Sequence, residues 1–414
     1  SDFDPAAGDV IALYGFTYAP RVEAWGNGSR LMFADGRSIN LEYITPEQLA
    51  QHPGFFRMMA GPPPVAEPEA PGGPVFASGD VTIAAGTSTT FLEDLGYYVA
   101  LGTLTNNGTV IVDGGPDDSH IATGVSMGGQ SADFTPNLFL NSASGTVRVI
   151  NDGTAGAFGT RGNQDVVNHG LIEARSAHDA TGVHARAVNW RLDNTGVIAA
   201  HAGGLATGVT LPNEPILTSA PHRAGVQANN SGQILAVGGT AIGYYSALNT
   251  TLTNSGLIEA QGAYGAIGLI LDANGSFTNS GTIRAIAGQG LGIAFTAFNV
   301  EAINARGNGV QTYVNSGLIE GDIAIYIADD AGVFVQRSIE HVFNTGTIIG
   351  AVILGAGEDE VRNAGVIAGN VDLGAERDFY DGTGGWVEGG VFGGFDNDRL
   401  IGGALEDYLF GEDR

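Results

Sequence analysis

The chain has 414 residues, with 44 acidic side chains against 17 basic ones and a formal net charge of −27. A surface this acidic repels the phosphates of nucleic acid and anionic lipid, which bind through basic patches, and it suits divalent cations. The absence of cysteine excludes disulfide scaffolds and thiolate metal sites, the 66 glycines follow no G-X-Y period, and no run of about 18 apolar residues reads as a membrane-spanning helix.

Every basic residue is arginine, and the hydrophobic fraction of 43% argues against disorder. Glycine and apolar residues together predict many short strands joined by tight turns. A cysteine-free chain of this kind fits a protein that folds outside the cell. It opens at Ser1 without methionine, and we expect a segment of something longer.

Residues 1–60 read as a small β module. Strands are expected over Asp9–Leu13, Arg30–Phe33 and Ser38–Leu41, with an Asp35-Gly36 hairpin turn and a helix start at Thr45-Pro46-Glu47. Residues 61–75, rich in proline, form a semi-rigid extended linker.

From residue 76 to 372 one motif, Asn-x-Gly-x-(Ile/Val), dominates. It occurs as Asn106-Asn-Gly-Thr-Val110, then at Asn168, Asn194, Asn230, Asn254, Asn279, Asn315 and Asn344, and last as Asn363-Ala-Gly-Val-Ile367. A degenerate copy, Ser142-Ala-Ser-Gly-Thr-Val147, fills the gap after the first. A second motif, such as Ala180-Thr-Gly-Val183 or Ala206-Thr-Gly-Val209, follows several copies about twelve residues on. Asn and Gly tolerate the left-handed backbone of a turn, and the β-branched residue that follows starts a strand with its side chain inward. One such unit cannot bury its own apolar face, whereas stacked units share a core and stack their asparagine amides. The prediction is an all-β fold: a parallel β-helix, right-handed by default, with 24–26 residues in a basic coil.

Three units are longer. Their extra residues fall near Ser126–Leu140, Thr210–Ala224 and Phe295–Gly309, and they include Phe134, Phe139, Leu211, Ile216, Phe295 and Phe298. Insertions at one coil position project from one face. They form either a ridge that contacts a partner or hydrophobic flaps over the core.

Residues 373–414 change period to nine. Gly393-Gly-Phe-Asp-Asn-Asp-Arg-Leu-Ile401 is followed by Gly402-Gly-Ala-Leu-Glu-Asp-Tyr-Leu-Phe410, and Gly384-Gly-Trp-Val-Glu-Gly-Gly-Val-Phe392 precedes them in the same register. Gly355-Ala-Gly-Glu-Asp-Glu-Val361 and Gly374-Ala-Glu-Arg-Asp-Phe-Tyr380 are shorter echoes. This resembles the RTX (hemolysin-type calcium-binding) nonapeptide G-G-x-G-x-D-x-U-x of secreted bacterial proteins. The resemblance implies a β-roll that binds Ca2+ through turn carbonyls and aspartates, here Asp359, Asp378, Asp396, Asp398 and Asp407. The sequence departs from the pattern at the fourth position, usually glycine, which is Val387, Asp396 or Leu405. A metal-free β-roll cap is the alternative.

The segment Asp2-Phe-Asp-Pro-Ala-Ala-Gly-Asp-Val-Ile-Ala-Leu-Tyr-Gly-Phe16 is similar to the stretch found just after RTX repeats in type I-secreted proteins. Either the chain is one unit of a tandem array or copies join end to end. The resemblance implies a secreted structural or adhesive protein at the surface of a Gram-negative bacterium, with self-association and a glycan or cell-surface ligand as partners.

Enzyme signatures are weak. HExxH, G-x-S-x-G and P-loop motifs are absent. His169, His178, His184 and His201 cluster in sequence, as do Arg175, Arg186 and Arg191, and Asp117-Asp118-Ser-His120 and Asp329-Asp330 are carboxylate-rich. A polysaccharide lyase or epimerase is the alternative function, since such enzymes also use β-helices.

Overall fold

In a computed structural model the chain divides into two units, residues 1–67 and 68–414. The structure describes residues 11–14, 21–25, 28–32, 38–41, 45–46 and 56–59 of the first. Of the second it describes residues 73–92, 94–115, 121–128, 137–161, 164–186, 190–212, 226–271, 275–287, 301–305, 310–327 and 339–411.

In the first unit Gly28–Met32 pairs antiparallel with both Arg21–Trp25 and Ser38–Leu41. Two of the expected strands thus form a hairpin, and its Asp35-Gly36 turn lies outside the described residues. Ile11–Tyr14 pairs in parallel with Phe56–Met59, a strand the alternation pattern did not reveal.

The second unit is a parallel β-helix of three faces. First-face strands such as Gln164–Asn168, Trp190–Asn194 and Thr250–Asn254 each end on the motif asparagine. The chain then turns through N-x-G into a second-face strand such as Leu171–Ser176. A shallower corner leads to a third-face strand such as Ala180–Arg186. Gln233–Ser246 and Leu257–Leu271 run unbroken around that corner, which joins the second and third faces into one sheet.

The second residue after the motif glycine forms the core. Val110, Val147, Ile172, Ile198, Ile234, Ile258, Ile283, Ile319, Ile348 and Ile367 lie in register and are fully buried. Each such side chain contributes roughly 1.5–3 kcal/mol. The second motif makes room for this column. A Cβ on Gly182, Gly208 or Gly243 would sit 2.7, 2.6 or 2.8 Å from the Cγ2 of Ile198, Ile234 or Ile258. The two motifs are therefore complementary halves of one packing unit.

Two residues assigned to projecting loops belong to the core instead. Phe139 is fully buried and stacked on Phe158 at 4.7 Å between ring centroids, and Leu211 is fully buried at the end of a third-face strand. Alternation along Asn137–Asn141 and Leu205–Leu211 carries them inward. Phe134, Ile216, Phe295 and Phe298 lie outside the described residues, as do Asp117, Asp118, His120, Asp329 and Asp330.

Candidate functional site

Two inward-facing polar columns run along the solenoid. The first is the asparagine ladder. Each Nδ2 donates to the next Oδ1 from Asn106 through Asn141, Asn168, Asn194, Asn230, Asn254, Asn279, Asn315 and Asn344 to Asn363, at 2.7–2.9 Å. The other Nδ2 hydrogen reaches a carbonyl of the next coil, as in Asn230 to Leu257 and Asn254 to Thr282, both at 3.1 Å. Asn141 takes the place assigned to Ser142. Its turn, Asn141-Ser-Ala-Ser-Gly145, carries two extra residues and still keeps the amide in line. The ladder ends at Tyr380, whose hydroxyl is hydrogen-bonded to the Asn363 side chain where another asparagine would stand.

The second column occupies the corner where the third face returns to the first. Gln311 pairs with Glu340, and Glu340, Asp359, Asp378 and Asp398 succeed one another coil by coil. Each aspartate Oδ1 accepts a backbone N–H from the preceding coil: Glu340 N to Asp359 at 2.8 Å, Asp359 N to Asp378 at 2.8 Å, and Asp378 N to Asp398 at 3.0 Å. This repeat is 19–20 residues, shorter than the basic coil. The shortening already shows between Asn344 and Asn363, 19 residues apart, upstream of the expected change near residue 373.

Glu340 and Asp359 are at most 1% exposed and Asp378 is 2% exposed. Burial pushes the Asp378 carboxyl up to about 8; the N–H from Asp359 opposes the rise, and the charges of Asp359, Asp398 and Glu376 add to it. Tyr313, whose hydroxyl donates to Gln311 Oε1 at 2.5 Å, is held well above its ordinary value by burial and then by Glu340 and Asp359.

The turns that lead into the column share one backbone shape. Gly355, Gly374 and Gly394 have φ of +90°, +108° and +94°, and two residues after the latter two Glu376 and Asp396 hold φ of +80° and +81°. The departure at Asp396 thus places a side chain in a left-handed conformation that favours glycine, at a cost of about 1–2 kcal/mol.

The five candidate metal residues separate. Asp359, Asp378 and Asp398 form the column. Asp396 lies on the turn before Asp398 and is exposed. Asp407 stands on a different turn, which leads into Tyr408–Phe410 on the third face, and its Oδ2 accepts from Gly403 N at 2.7 Å. Val387 lies within the strand Trp386–Val387, so the segment that begins at Gly384 is not a third nonapeptide turn.

Oδ2 of Asp378 and of Asp398 is buried and accepts no hydrogen bond from the described residues. Among the described residues no three His, Asp or Glu side chains converge on one point. An ion here would therefore need turn carbonyls as well as carboxylates, which is the oxygen-rich shell that calcium takes.

The basic and histidine clusters seen in sequence are also split. Arg191 lies on the first face, paired with Asp193 at 2.6 Å. Arg175 and His201 lie on the second face, gathered with Arg148 around Glu173. His169 bonds Thr195 at 2.7 Å and takes no part in that group.

No family model, curated protein or solved structure matches this chain. No helix among the described residues is long and apolar enough to cross a membrane.

Proposed function

We propose that this chain is a secreted structural or adhesive surface protein, a parallel β-solenoid whose C-terminal coils lock on calcium. The observation that carries the reading is the buried acidic column. Three aspartates, stacked one per coil behind left-handed glycine turns, accumulate negative charge where an apolar or amide core would be more stable. Proton uptake by Asp378 offsets part of that charge in the metal-free protein.

Asp359, Asp378 and Asp398, with the carbonyls of their turns, would hold the ion. Calcium, when bound, supplies the positive charge that lets these carboxylates ionise together. Without it their repulsion loosens the terminal coils, which suits a chain that crosses a secretion channel unfolded and folds outside. On this reading the chain is a scaffold and not an enzyme, and tandem neighbours or other copies adjoin it end to end.

Circular dichroism and light scattering during a calcium titration with EDTA reversal test the proposal. β-Structure or assembly that grows with calcium and reverses with EDTA supports it. A spectrum and particle size indifferent to calcium would leave the column as a proton-stabilised cap and refute the calcium dependence.

A further inference from the structure

Among the described residues the solenoid finishes at each end on strands that have a partner on one side only. At the C-terminal end Tyr408–Phe410 of the third face pairs with Gly390–Phe392, and Arg399–Ile401 of the first face pairs with Phe379–Asp381. At the other end Val75–Ala77 of the third face pairs with Leu95–Val99, and Val81–Ile83 of the first face pairs with Thr103–Asn106. An edge of this kind accepts a further strand unless something blunts it, and proline or an inward-facing charge is the usual device. None of these four strands carries either.

The two ends match row for row. On the third face the inward row closes on Leu409, 36% exposed and in register with the buried Val391, and opens on Val75, 37% exposed and in register with the buried Tyr97. Both are core positions that lack only the next coil. The outward row beside it closes on Phe410, stacked on Phe392 with ring centroids 4.9 Å apart, and opens on Phe76, 70% exposed and 5.9 Å from the Tyr98 ring. On the first face the inward row closes on Leu400 and opens on Val81, both packed against the core from one side. The outward position before them is the exposed Arg399 at one end and the exposed Asp80 at the other, where Asp80 Oδ1 accepts from Thr103 N at 2.8 Å.

The geometry points to a second copy of this chain as the occupant of each end, added head to tail as the next coil. Tyr408–Phe410 then runs parallel to Val75–Ala77 of the next copy, with Leu409 against Val75 and Phe410 against Phe76, and Arg399 faces Asp80. One alignment thus continues the core, the aromatic row and an opposite-charge pair on two faces at once. Strand pairing along the solenoid is parallel, and a translation along the axis preserves that direction. Joining like ends would set the strands antiparallel and leave Arg399 without Asp80. The contact joins unlike surfaces and does not close on itself, so it builds an open filament. It gives the end-to-end neighbour of the proposed function a register, and it rests on that part of the reading and not on calcium.

Sedimentation velocity of the full chain over a range of concentrations, in calcium and again in EDTA, tests the inference together with electron microscopy of the largest species. Size should grow with concentration into unbranched filaments with an axial repeat of roughly 60 Å, the 13 first-face strands at about 4.8 Å each. Leu409→Glu and Val75→Glu each bring a charge into the junction. Each variant alone should keep its circular dichroism and stay monomeric, and a mixture of the two should stop at a dimer, because each retains one intact end. Arg399→Glu should weaken association by at least about tenfold, since like charges then meet, and Asp80→Arg in the same chain should restore most of it. A full chain that stays monomeric in calcium, a Leu409→Glu or Val75→Glu chain that still associates with itself, or a mixture of the two that stays monomeric would overturn the proposal. Equal assembly in calcium and EDTA, with an unchanged spectrum, would uphold this contact and refute the calcium dependence. A calcium-dependent spectrum in a chain that never grows beyond the monomer would do the reverse.

Discussion

A buried asparagine in this ladder has no idle atom. In Asn254 both Nδ2 hydrogens are donated, to Asn279 Oδ1 and Thr282 O, and Oδ1 accepts from Asn230. Asn254→Ala strands a donor on Asn230 and an acceptor on Asn279. With each unsatisfied buried group costing about 1–3 kcal/mol, a loss of about 3 kcal/mol is expected, read as a lower denaturation midpoint in urea. Asn254→Asp should cost at least as much, since a carboxylate oxygen would face Asn279 Oδ1 and Thr282 O.

Asp378 gives a pH dependence of definite sign. Its folded value, about 8, lies above the unfolded value of about 3.9. The native state therefore holds a proton that the unfolded chain releases. The stability this confers is complete below about pH 4, and it is lost as pH rises toward 8. In EDTA the C-terminal coils should melt at a lower temperature at pH 8 than at pH 5, and Asp378→Asn should flatten that difference; an equal slope in the variant would remove Asp378 as its source. On the proposed calcium reading the ion competes with that proton, so its affinity should rise over the same interval. The ladder was legible because nine of its ten members carry the N-x-G spacing. Asn141 was not, since its turn is two residues longer and Ser142 heads the degenerate copy in its place. Nor was the inward position of Glu340, because nothing in Ile339–Asn344 marks it except its place in the alternation.

At the scale of the coil, the turn glycines are set by contact with the coil before. A Cβ on Gly256 would lie 2.1 Å from Gly232 O, backbone that cannot swing away. Gly256→Ala should cost at least about 3 kcal/mol, whereas Gly86→Ala, with φ +78° and open space around it, should cost only the left-handed penalty of about 1–2 kcal/mol. Urea midpoints of the two variants would separate close approach from backbone conformation; equal losses would contradict this account. Periodicity made the coil legible because every unit repeats the same contact. The complementarity of Gly208 with Ile234 was hidden, as it joins residues of different motifs across neighbouring coils. The gathering of Arg148, Arg175 and His201 around Glu173 was hidden for a related reason. Arg148, Arg175 and His201 stand about a coil length apart in sequence, and only the register of Arg148 with Glu173 and of Arg175 with His201 brings them together. Sequence proximity grouped Arg175 with Arg191 instead, and the corners between them send the two to different faces.

At the scale of the molecule, the second unit has one long core, and among the described residues its strand pairings join neighbouring coils. Its stability is then a sum of coil and interface contributions, and a perturbation at one end fades along the axis. The acidic column runs from Glu340 to Asp398, while the described residues of the coils from Thr146 to Ala287 carry the amide ladder and one buried carboxylate, Glu173, that two arginines pair. On the proposed calcium reading, removal of the ion should therefore act on one end. Hydrogen exchange in EDTA should accelerate for amides of residues 355–411, fall off through 339–354, and leave those of 146–287 at their calcium-loaded rates. Uniform acceleration along the chain would mean that the solenoid folds as one cooperative body, and the acidic column could not then serve as a local lock. A graded response would mean that the amide ladder holds the greater part of the solenoid folded with or without the ion, so that calcium controls only the end at which a neighbouring unit would join.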